Sequence, residues 1–126
     1  MNILFLDDDK NRQRTFRSAF PAADIVSTAN ECIDMLDASK WDLVCLDHDL
    51  GGEQYVDPAE KNTGMEVVRW IESNRPSVGR FIVHSLNFPA RWEMTTRLDH
   101  DGYGASQCPF GPNLISFIEY LKGEEQ

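Results

Sequence analysis

Short runs of apolar residues recur along the chain, separated by longer stretches in which apolar residues have helical spacing. The runs cover residues 3–6, 24–26, 43–46 and 81–83, with a weaker run within 103–108. The first, third and fourth runs are continuously apolar instead of alternating with polar residues. Continuous apolar strands are typical of parallel sheets that are covered on both faces. The pattern therefore predicts a five-stranded parallel sheet between two layers of helices.

Helices are predicted between these runs. A threonine followed three residues later by a glutamate, which favours a helix N-terminus, begins at Thr28 and again at Thr63. The last helix is expected to start near Pro112, and a shorter one is expected over residues 14–20. Strands that alternate with helices indicate an α/β doubly wound sheet, and right-handed crossovers favour the strand order 2-1-3-4-5. This is the flavodoxin-like architecture, predicted as one domain over residues 1–123 with a frayed acidic tail over 124–126.

The composition limits the kinds of partner and compartment. The chain has 126 residues, of which 41% are hydrophobic, and a formal net charge of -9. It lacks the surplus of basic residues that non-specific nucleic-acid binding requires, although a bound divalent cation would invert the local charge beside a phosphate. The three cysteines form no Cys-x-x-Cys pair, and no apolar stretch approaches about 18 residues. We therefore expect a cytoplasmic protein without disulfides, signal peptide or membrane span.

Three of the apolar runs end in clusters of polar residues. Residues 7–9 are three aspartates, residues 47–49 are Asp-His-Asp, and His84, Ser85 and Asn87 follow the fourth run. Each cluster alone is explained as a turn that caps the next helix. However, the carboxyl ends of neighbouring parallel strands meet at one edge of the sheet, where doubly wound folds bind their ligands. We therefore expect the three clusters to form one functional pocket.

Asp7, Asp8 and Asp47 are the predicted metal ligands. Their carboxylates would repel one another in a small volume unless a cation neutralised them. Mg²⁺ or Mn²⁺ is expected there, because hard divalent cations prefer oxygen ligands. Asp9 and Asp49 rank lower as ligands, since either could cap a helix or face solvent.

The chain resembles the receiver domains of response regulators over nearly its whole length. The segments that carry the resemblance, to the first strand, third strand and third helix of those domains, are residues 4–8, 42–47 and 63–68. The resemblance implies that Asp7 and Asp8 are the acidic pair that binds the metal. It also implies that Asp47 is the phospho-accepting aspartate and that Ser85 is the hydroxyl residue at the end of strand four.

The chain departs from typical receivers at the end of strand five. Receivers have a lysine there that pairs with the phosphoryl group, whereas this chain has Cys108 followed by proline. The residues after Asp47 and those around His84 are also unusual for a receiver. Together these differences make the chain similar to the divergent cyclic-phosphate-processing receiver group, and they argue against switching by phosphorylation.

This narrower resemblance implies a site that acts on a cyclic phosphate ester or nucleotide, with Asp47, His84, His48, Ser85 and Asn87 as the predicted catalytic residues. Hydrolysis of a phosphodiester needs an activated water, charge neutralisation and a proton for the leaving oxygen. His84 or His48 could supply the proton, while Ser85 and Asn87 could donate hydrogen bonds to phosphate oxygens. Alternatives stay open for the histidines: His48 could pack beneath the following loop, and His84 could be a hydrogen-bonded strand-end residue or a metal ligand.

Two further features bear on ligand binding. The connection over residues 50–62 is long for a strand-to-helix link and is expected to cover the pocket as a partial lid. Arg91 and Arg97 are candidate phosphate ligands because a guanidinium group can bind two phosphate oxygens at once. A solvated helix face is the simpler interpretation of both arginines.

Three functions compete at this point. The first is a metal-dependent hydrolase or binder of a small phosphorylated ligand, a cyclic phosphate or nucleotide. The second is a degenerate receiver that binds a protein partner without phosphorylation, and the third is a working receiver with a substituted lysine. The missing lysine argues against the third. The retained aspartates argue against the second, because a scaffold has no need to hold several carboxylates together.

Overall fold

A computed structural model describes residues 1–124 of the protein. Strands and helices alternate throughout this range. The five strands are β1 (Ile3–Leu6), β2 (Asp24–Val26), β3 (Trp41–Leu46), β4 (Val78–Val83) and β5 (Ala105–Gln107). The five helices are α1 (Lys10–Ala19), α2 (Ala29–Ala38), α3 (Gly64–Asn74), α4 (Phe88–His100) and α5 (Pro112–Glu124). The predicted α/β alternation is confirmed, including the weak fifth strand.

All strands are parallel and form one sheet in the order β2-β1-β3-β4-β5. This confirms the predicted doubly wound, flavodoxin-like topology. The register aligns Leu6 with Leu46 and Leu46 with Val83. Consequently the next residues, Asp7, Asp47 and His84, leave the sheet side by side at its carboxyl edge.

The continuous apolar runs are buried because helices cover both faces of the sheet. Alternate residues of each strand belong to opposite layers, so Leu4 and Leu6 contact one cluster while Ile3 and Phe5 contact the other. Helices α2, α3 and α4 pack on the first face, and helices α1 and α5 on the second. Burial on both faces is the physical reason that these strands carry no polar alternation.

Helix α1 begins at Lys10, four residues before the start that the apolar spacing indicates. The Asp9 side chain caps it by accepting a hydrogen bond of 2.9 Å from the backbone N–H of Arg12. Residues 10–13 are polar and make no apolar face, so the expected helix over 14–20 was too short. The correction matters because it places Arg12 in the first turn of α1, at the carboxyl edge of the sheet.

The two threonine caps differ in detail. Thr28 and Glu31 form the full reciprocal capping box at the start of α2. Thr63 caps α3 by accepting from the backbone N–H of Glu66, but the Glu66 side chain turns away to bind Arg69. Both helices nevertheless start where the sequence pattern places them.

Glu124 is the last residue of α5, and residues 125–126 of the predicted frayed tail lie outside the described residues. Within residues 1–124 no helix combines the length and the apolar character needed to cross a membrane.

Candidate functional site

Three buried titratable groups meet at the carboxyl edge of the sheet. Asp7, Asp47 and His84 follow β1, β3 and β4, and they are only 0%, 3% and 1% exposed. Each offers one ligand atom, and these atoms lie within 4.8 Å of one another. His84 Nε2 is 3.1 Å from Asp7 Oδ2. Backbone hydrogen bonds to the neighbouring strands hold the three residues in place. The N–H groups of Asp7, Asp47 and His84 donate to the oxygens of Val26, Leu6 and Leu46.

Arg12 completes this cluster, and sequence reasoning missed it. Its Nε donates to Asp7 Oδ2 at 2.8 Å and its Nη2 to Asp7 Oδ1 at 3.1 Å. The same Nη2 is 3.7 Å from Asp47 Oδ2. The signal that could have identified Arg12 is the cap at Asp9, which starts α1 early and turns the third helical residue toward the strand ends.

The two carboxyl groups respond differently to burial. Burial would raise the pKa of Asp7, but hydrogen bonds from His84 and Arg12 outweigh it and lower the pKa to about 2. For Asp47 burial prevails and raises the pKa to about 6, because the nearby charges of His84 and Arg12 are opposed by that of Asp7. Asp7 is thus the fixed anion of the pair, and Asp47 is the carboxyl group that most needs a further cation.

The His84 ring is held rigidly. It stacks on Phe5 with ring centroids 4.7 Å apart and an interplanar angle of 9°, and the edge of Phe110 adds a second contact. Its Nδ1 is buried and has no hydrogen-bond partner in residues 1–124. This packing leaves Nε2 as the atom that acts in the cluster, directed at Asp7.

The residues present fit a divalent cation. Asp47 Oδ2 is buried without a hydrogen-bond partner among residues 1–124, which is unusual for a carboxylate oxygen. The carboxylate oxygens of Asp47 and Asp7 suit Mg²⁺ or Mn²⁺. The imidazole nitrogen of His84 is a ligand typical of transition metals, so the three donors together fit Mn²⁺ better than Mg²⁺. Asp8, the third predicted ligand, lies beside this group and accepts a hydrogen bond of 2.6 Å from the backbone N–H of Gly52. Its role as a ligand stays a prediction.

A pocket of about 400 Å³ opens above Asp47 and Arg12, while Asp7 and His84 lie behind them and do not line it. Of its lining residues within 1–124, Arg12 is the one basic residue. The lining comprises acidic residues, a loop segment and the start of α4, namely Asp8, Asp9, Arg12, Asp47, Asp49, Gly52, Glu53, Gln54, Tyr55, Leu86 and Asn87.

The loop over residues 51–62 forms one wall of this pocket. Asp49 anchors it by accepting hydrogen bonds from the backbone N–H groups of Tyr55 and Val56, at 2.9 and 3.0 Å. Asn87 Nδ2 and His48 Nδ1 bind the same carboxylate at 3.1 and 3.0 Å. These hydrogen bonds lower the pKa of Asp49 even though burial alone would raise it. The Asp49 side chain thus holds the loop in place beside the pocket.

The other predicted site residues lie around the cluster rather than in it. His48 is fully buried, with Nδ1 committed to Asp49, and it is not among the residues that line the pocket. Ser85 Oγ accepts a hydrogen bond from the backbone N–H of Asn87. Asn87 lines the pocket, but its side chain caps α4 through Ala90 N–H and donates to Asp49.

The two arginines suggested by the sequence take structural roles. Arg97 Nε donates to Glu72 on α3 at 3.0 Å, so it joins α4 to α3. Arg91 donates to Gln107 and to the backbone oxygen of Ser85. Neither lines the pocket.

The end of β5 has the sequence departure noted above. Cys108 directly follows β5, where its N–H donates to the oxygen of Val83. A lysine at this position would flank the cluster on the side of β4. The protein supplies its positive charge from the opposite side, through Arg12 on α1.

Solved structures of response regulators share the fold of this protein. A response regulator TrrA from Thermotoga maritima, in complex with Mg²⁺ and BeF, superposes with a TM-score of 0.70 at 18% identity and covers 98% of both chains. A CheY-like receiver domain from Methanospirillum hungatei JF-1 gives 0.67 at 18% identity, covering 98% of this chain and 91% of that one. A response regulator from Colwellia psychrerythraea gives 0.69 at 15% identity, with 98% and 97% covered. The fold is therefore that of a response-regulator receiver domain.

The sequence match is narrower than the fold. The family described as the cyclic-phosphate processing receiver domain matches residues 2–100, and the chain belongs to this family. No curated protein matches the chain. The predicted resemblance to this divergent receiver group is confirmed.

Proposed function

We propose that the pocket binds a divalent cation together with a cyclic phosphate ester, such as a cyclic nucleotide, and hydrolyses the ester. The observation that carries this proposal is the buried cluster of Asp7, Asp47 and His84, with Arg12 beside it, beneath an open pocket of about 400 Å³. The family description names cyclic-phosphate processing, which supports the same substrate class.

Asp7, Asp47 and His84 would hold the cation, with Asp8 next to them at the pocket wall. The bound cation would supply charge neutralisation at phosphorus and a water of lowered pKa. In the reaction, water oxygen forms a bond to phosphorus and one P–O ester bond breaks. The leaving oxygen takes up a proton, so that a cyclic diester and water become a phosphate monoester with a free hydroxyl.

The chain's own residues divide the remaining work. Arg12 lines the pocket and carries the positive charge available to a phosphate oxygen. His84 fixes Asp7 through Nε2, the same atom that would ligate the cation or deliver a proton. Nε2 cannot ligate the cation and deliver a proton at the same time. Because the ring is packed in place, we favour the role of metal ligand over that of proton donor. His48 is left out of the proposal because it binds Asp49 and is not part of the group formed by Asp7, Asp47 and His84.

The rim of the pocket favours a ligand with an apolar part. Tyr55 and Leu86 both line the pocket while 69% and 61% of their surface is exposed. An aromatic ring and an aliphatic side chain at the mouth could pack against a nucleotide base, for which stacking is worth roughly 1–3 kcal/mol. This is the reason for preferring a cyclic nucleotide to a smaller cyclic phosphate.

A screen of purified protein tests the proposal. Wild-type protein with Mg²⁺ or Mn²⁺ is incubated with 2′,3′-cyclic and 3′,5′-cyclic nucleotides, and products are separated by chromatography. We expect turnover of at least one class that EDTA abolishes and that Asp47→Asn and Asp8→Asn reduce strongly. Asp37→Asn, at an exposed position on α2, is the matched control and should retain wild-type rates. Absence of turnover with every nucleotide and both cations would contradict the hydrolase.

A protein-interaction role is the second candidate, and an exposed pair of aromatic residues favours it. Phe88 and Trp92 are four residues apart on α4, so they share one helix face, and they are 59% and 54% exposed. Adjacent exposed apolar side chains are typical of protein contacts. If cyclic phosphates are neither bound nor turned over, affinity capture becomes the decisive experiment. It compares the proteins retained by the wild type with those retained by Trp92→Ser.

A reducing, cytoplasmic setting is part of the proposal. Cys32 and Cys45 are buried in the two core clusters on opposite faces of the sheet, and Cys108 is unpaired at the end of β5. The core pair is separated by the sheet itself, which rules out a disulfide between them in this fold.

A further inference from the structure

Arg12 lies where the proposed function needs a metal ion. We propose that Arg12 competes with the divalent cation for Asp7. Without the cation, Arg12 occupies the space between Asp7 and Asp47. When the cation binds, Arg12 leaves Asp7 and pairs with the phosphate of the ligand. This inference rests on the proposed function, because it assigns a second, mobile cation to the same pocket.

The contacts of the guanidinium group carry the first half of this argument. Two of its nitrogens bind the two oxygens of Asp7 at 2.8 and 3.1 Å, and one of them lies 3.7 Å from Asp47 Oδ2. Asp7 Oδ2 is also the atom that faces His84. A cation held by Asp7, Asp47 and His84 would therefore share the Asp7 carboxylate with Arg12, which already binds both of its oxygens.

The balance of charge carries the second half. With Asp7, Asp8 and Asp47 ionised, the group that includes Arg12 carries two negative charges, which a divalent cation brings to neutrality. Without Arg12, the same group with its cation would keep one negative charge. That charge would repel a phosphodiester, which is a monoanion.

Arg12 has a second acidic partner nearby when it leaves Asp7. Its side chain is 28% exposed at the pocket wall, and its Nη1 is already 3.8 Å from Asp9 Oδ2 at the mouth. A guanidinium released from Asp7 would thus stay close to the ligand, held by Asp9. Arg12 could then bind two phosphate oxygens and so supply the positive charge that a lysine after β5 provides in typical receivers.

Two binding measurements test this inference without relying on turnover. Mg²⁺ is titrated calorimetrically into EDTA-treated wild type, Arg12→Gln and Arg14→Gln. Dimethyl phosphate, a phosphodiester monoanion, is then titrated in saturating Mg²⁺ and followed by phosphorus NMR. Arg14 is the matched control because it is exposed on the same helix and its loss changes the net charge equally.

We expect Arg12→Gln to bind Mg²⁺ at least about fivefold more tightly than wild type and dimethyl phosphate at least about fivefold more weakly, the lower end of the usual range for coupled sites. Arg14→Gln should stay within about twofold of wild type in both titrations. If Arg12→Gln does not fold, Arg12→Lys replaces it. A lysine keeps the charge but lacks the two parallel N–H donors with which Arg12 binds the Asp7 carboxylate, so Mg²⁺ should again bind more tightly.

Unchanged or weaker Mg²⁺ binding by the Arg12 variants would overturn the inference, as would wild-type phosphate affinity in Arg12→Gln. Either outcome leaves the proposed hydrolysis intact. Conversely, opposite shifts in the two affinities without turnover of any cyclic nucleotide would uphold the role of Arg12 and remove only the hydrolase.

Discussion

Asp7 and Asp47 end neighbouring strands, yet their surroundings make them unequal partners. Asp7 is held by Arg12 and His84, whereas one oxygen of Asp47 is buried without a hydrogen bond within residues 1–124. In the absence of a metal, an ionised Asp47 therefore costs stability while an ionised Asp7 contributes to it.

Amide substitutions at these positions should have opposite effects. In EDTA at pH 7.5, Asp47→Asn should raise the free energy of unfolding by about 2 kcal/mol, because it removes a poorly compensated buried charge. Asp7→Asn should lower it by about 2 kcal/mol or more, because Arg12 and His84 lose their anion. Urea denaturation measures both effects. If Asp47→Asn were destabilised, the buried charge of Asp47 would not be unfavourable in the metal-free protein.

The pH dependence follows from the same difference. The pKa of Asp47 rises from 3.8 to about 6 on folding, so its contribution to stability is fully present below pH 3.8 and is lost as the pH rises through 6. The contribution of Asp7 is present above pH 3.8 and is lost as the pH falls through about 2, so it is constant between pH 4.5 and 7.5.

The stability advantage of Asp47→Asn over metal-free wild type should therefore be small at pH 4.5 and grow by about 2 kcal/mol by pH 7.5. Urea titrations of both proteins at a series of pH values give this difference directly. A difference that does not change with pH would mean that Asp47 titrates at its ordinary pKa in the folded protein.

At the scale of elements, the start of α3 is pressed against the end of β3. Gly64 is the first residue of α3, and its N–H donates to the oxygen of His48. A Cβ at this position would lie 2.0 Å from the backbone oxygen of Asp47 and 2.6 Å from Met94 Cε. This close approach lets the loop over residues 51–62 leave β3 and return to α3 beside the pocket.

Gly64→Ala should lower the free energy of unfolding by about 2 kcal/mol or more and weaken Mg²⁺ binding, because the methyl group must displace the backbone of Asp47. Gly123→Ala is the control, since a Cβ there meets nothing within 4 Å. It should be neutral or slightly stabilising in its helix. Equal stabilities of the two variants, measured by thermal unfolding, would show that this helix–strand contact is not tight.

The elements differ in how far the sequence could predict them. The strands were predictable because burial on both faces produces continuous apolar runs, and the sheet order then brought His84 next to Asp7 across 77 positions of sequence. The start of α1 could not be predicted from apolar spacing, because the cap at Asp9 sets it and the first turn has no apolar face. Arg12 was missed with it. For His48 the sequence left two roles open, and the structure shows the buried one, with Nδ1 bound to Asp49. The hydrogen bonds between Asp49 and the loop could not be predicted, because periodicity gives no side-chain directions beyond the end of a strand.

At the scale of the whole molecule, the proposed function requires an acidic protein to bind an anionic ligand. The formal net charge is -9, and five of the pocket-lining residues are aspartate or glutamate, namely Asp8, Asp9, Asp47, Asp49 and Glu53. A phosphorylated ligand would be repelled by this surface unless a cation were bound first. Under the proposed function, binding of a divalent cation is therefore a condition for ligand binding, and this is the central claim of that proposal.

Phosphorus NMR of a cyclic nucleotide mixture tests this claim most directly. Wild-type protein is incubated with 2′,3′-cyclic and 3′,5′-cyclic nucleotides, first in EDTA and then after addition of excess Mg²⁺, and Asp47→Asn is treated in parallel. The account predicts unchanged spectra in EDTA and, after Mg²⁺ is added to wild type, loss of a cyclic phosphate signal with growth of a monoester signal. A cyclic phosphate that binds or reacts equally well in EDTA, or one that Asp47→Asn converts at the wild-type rate, would contradict it.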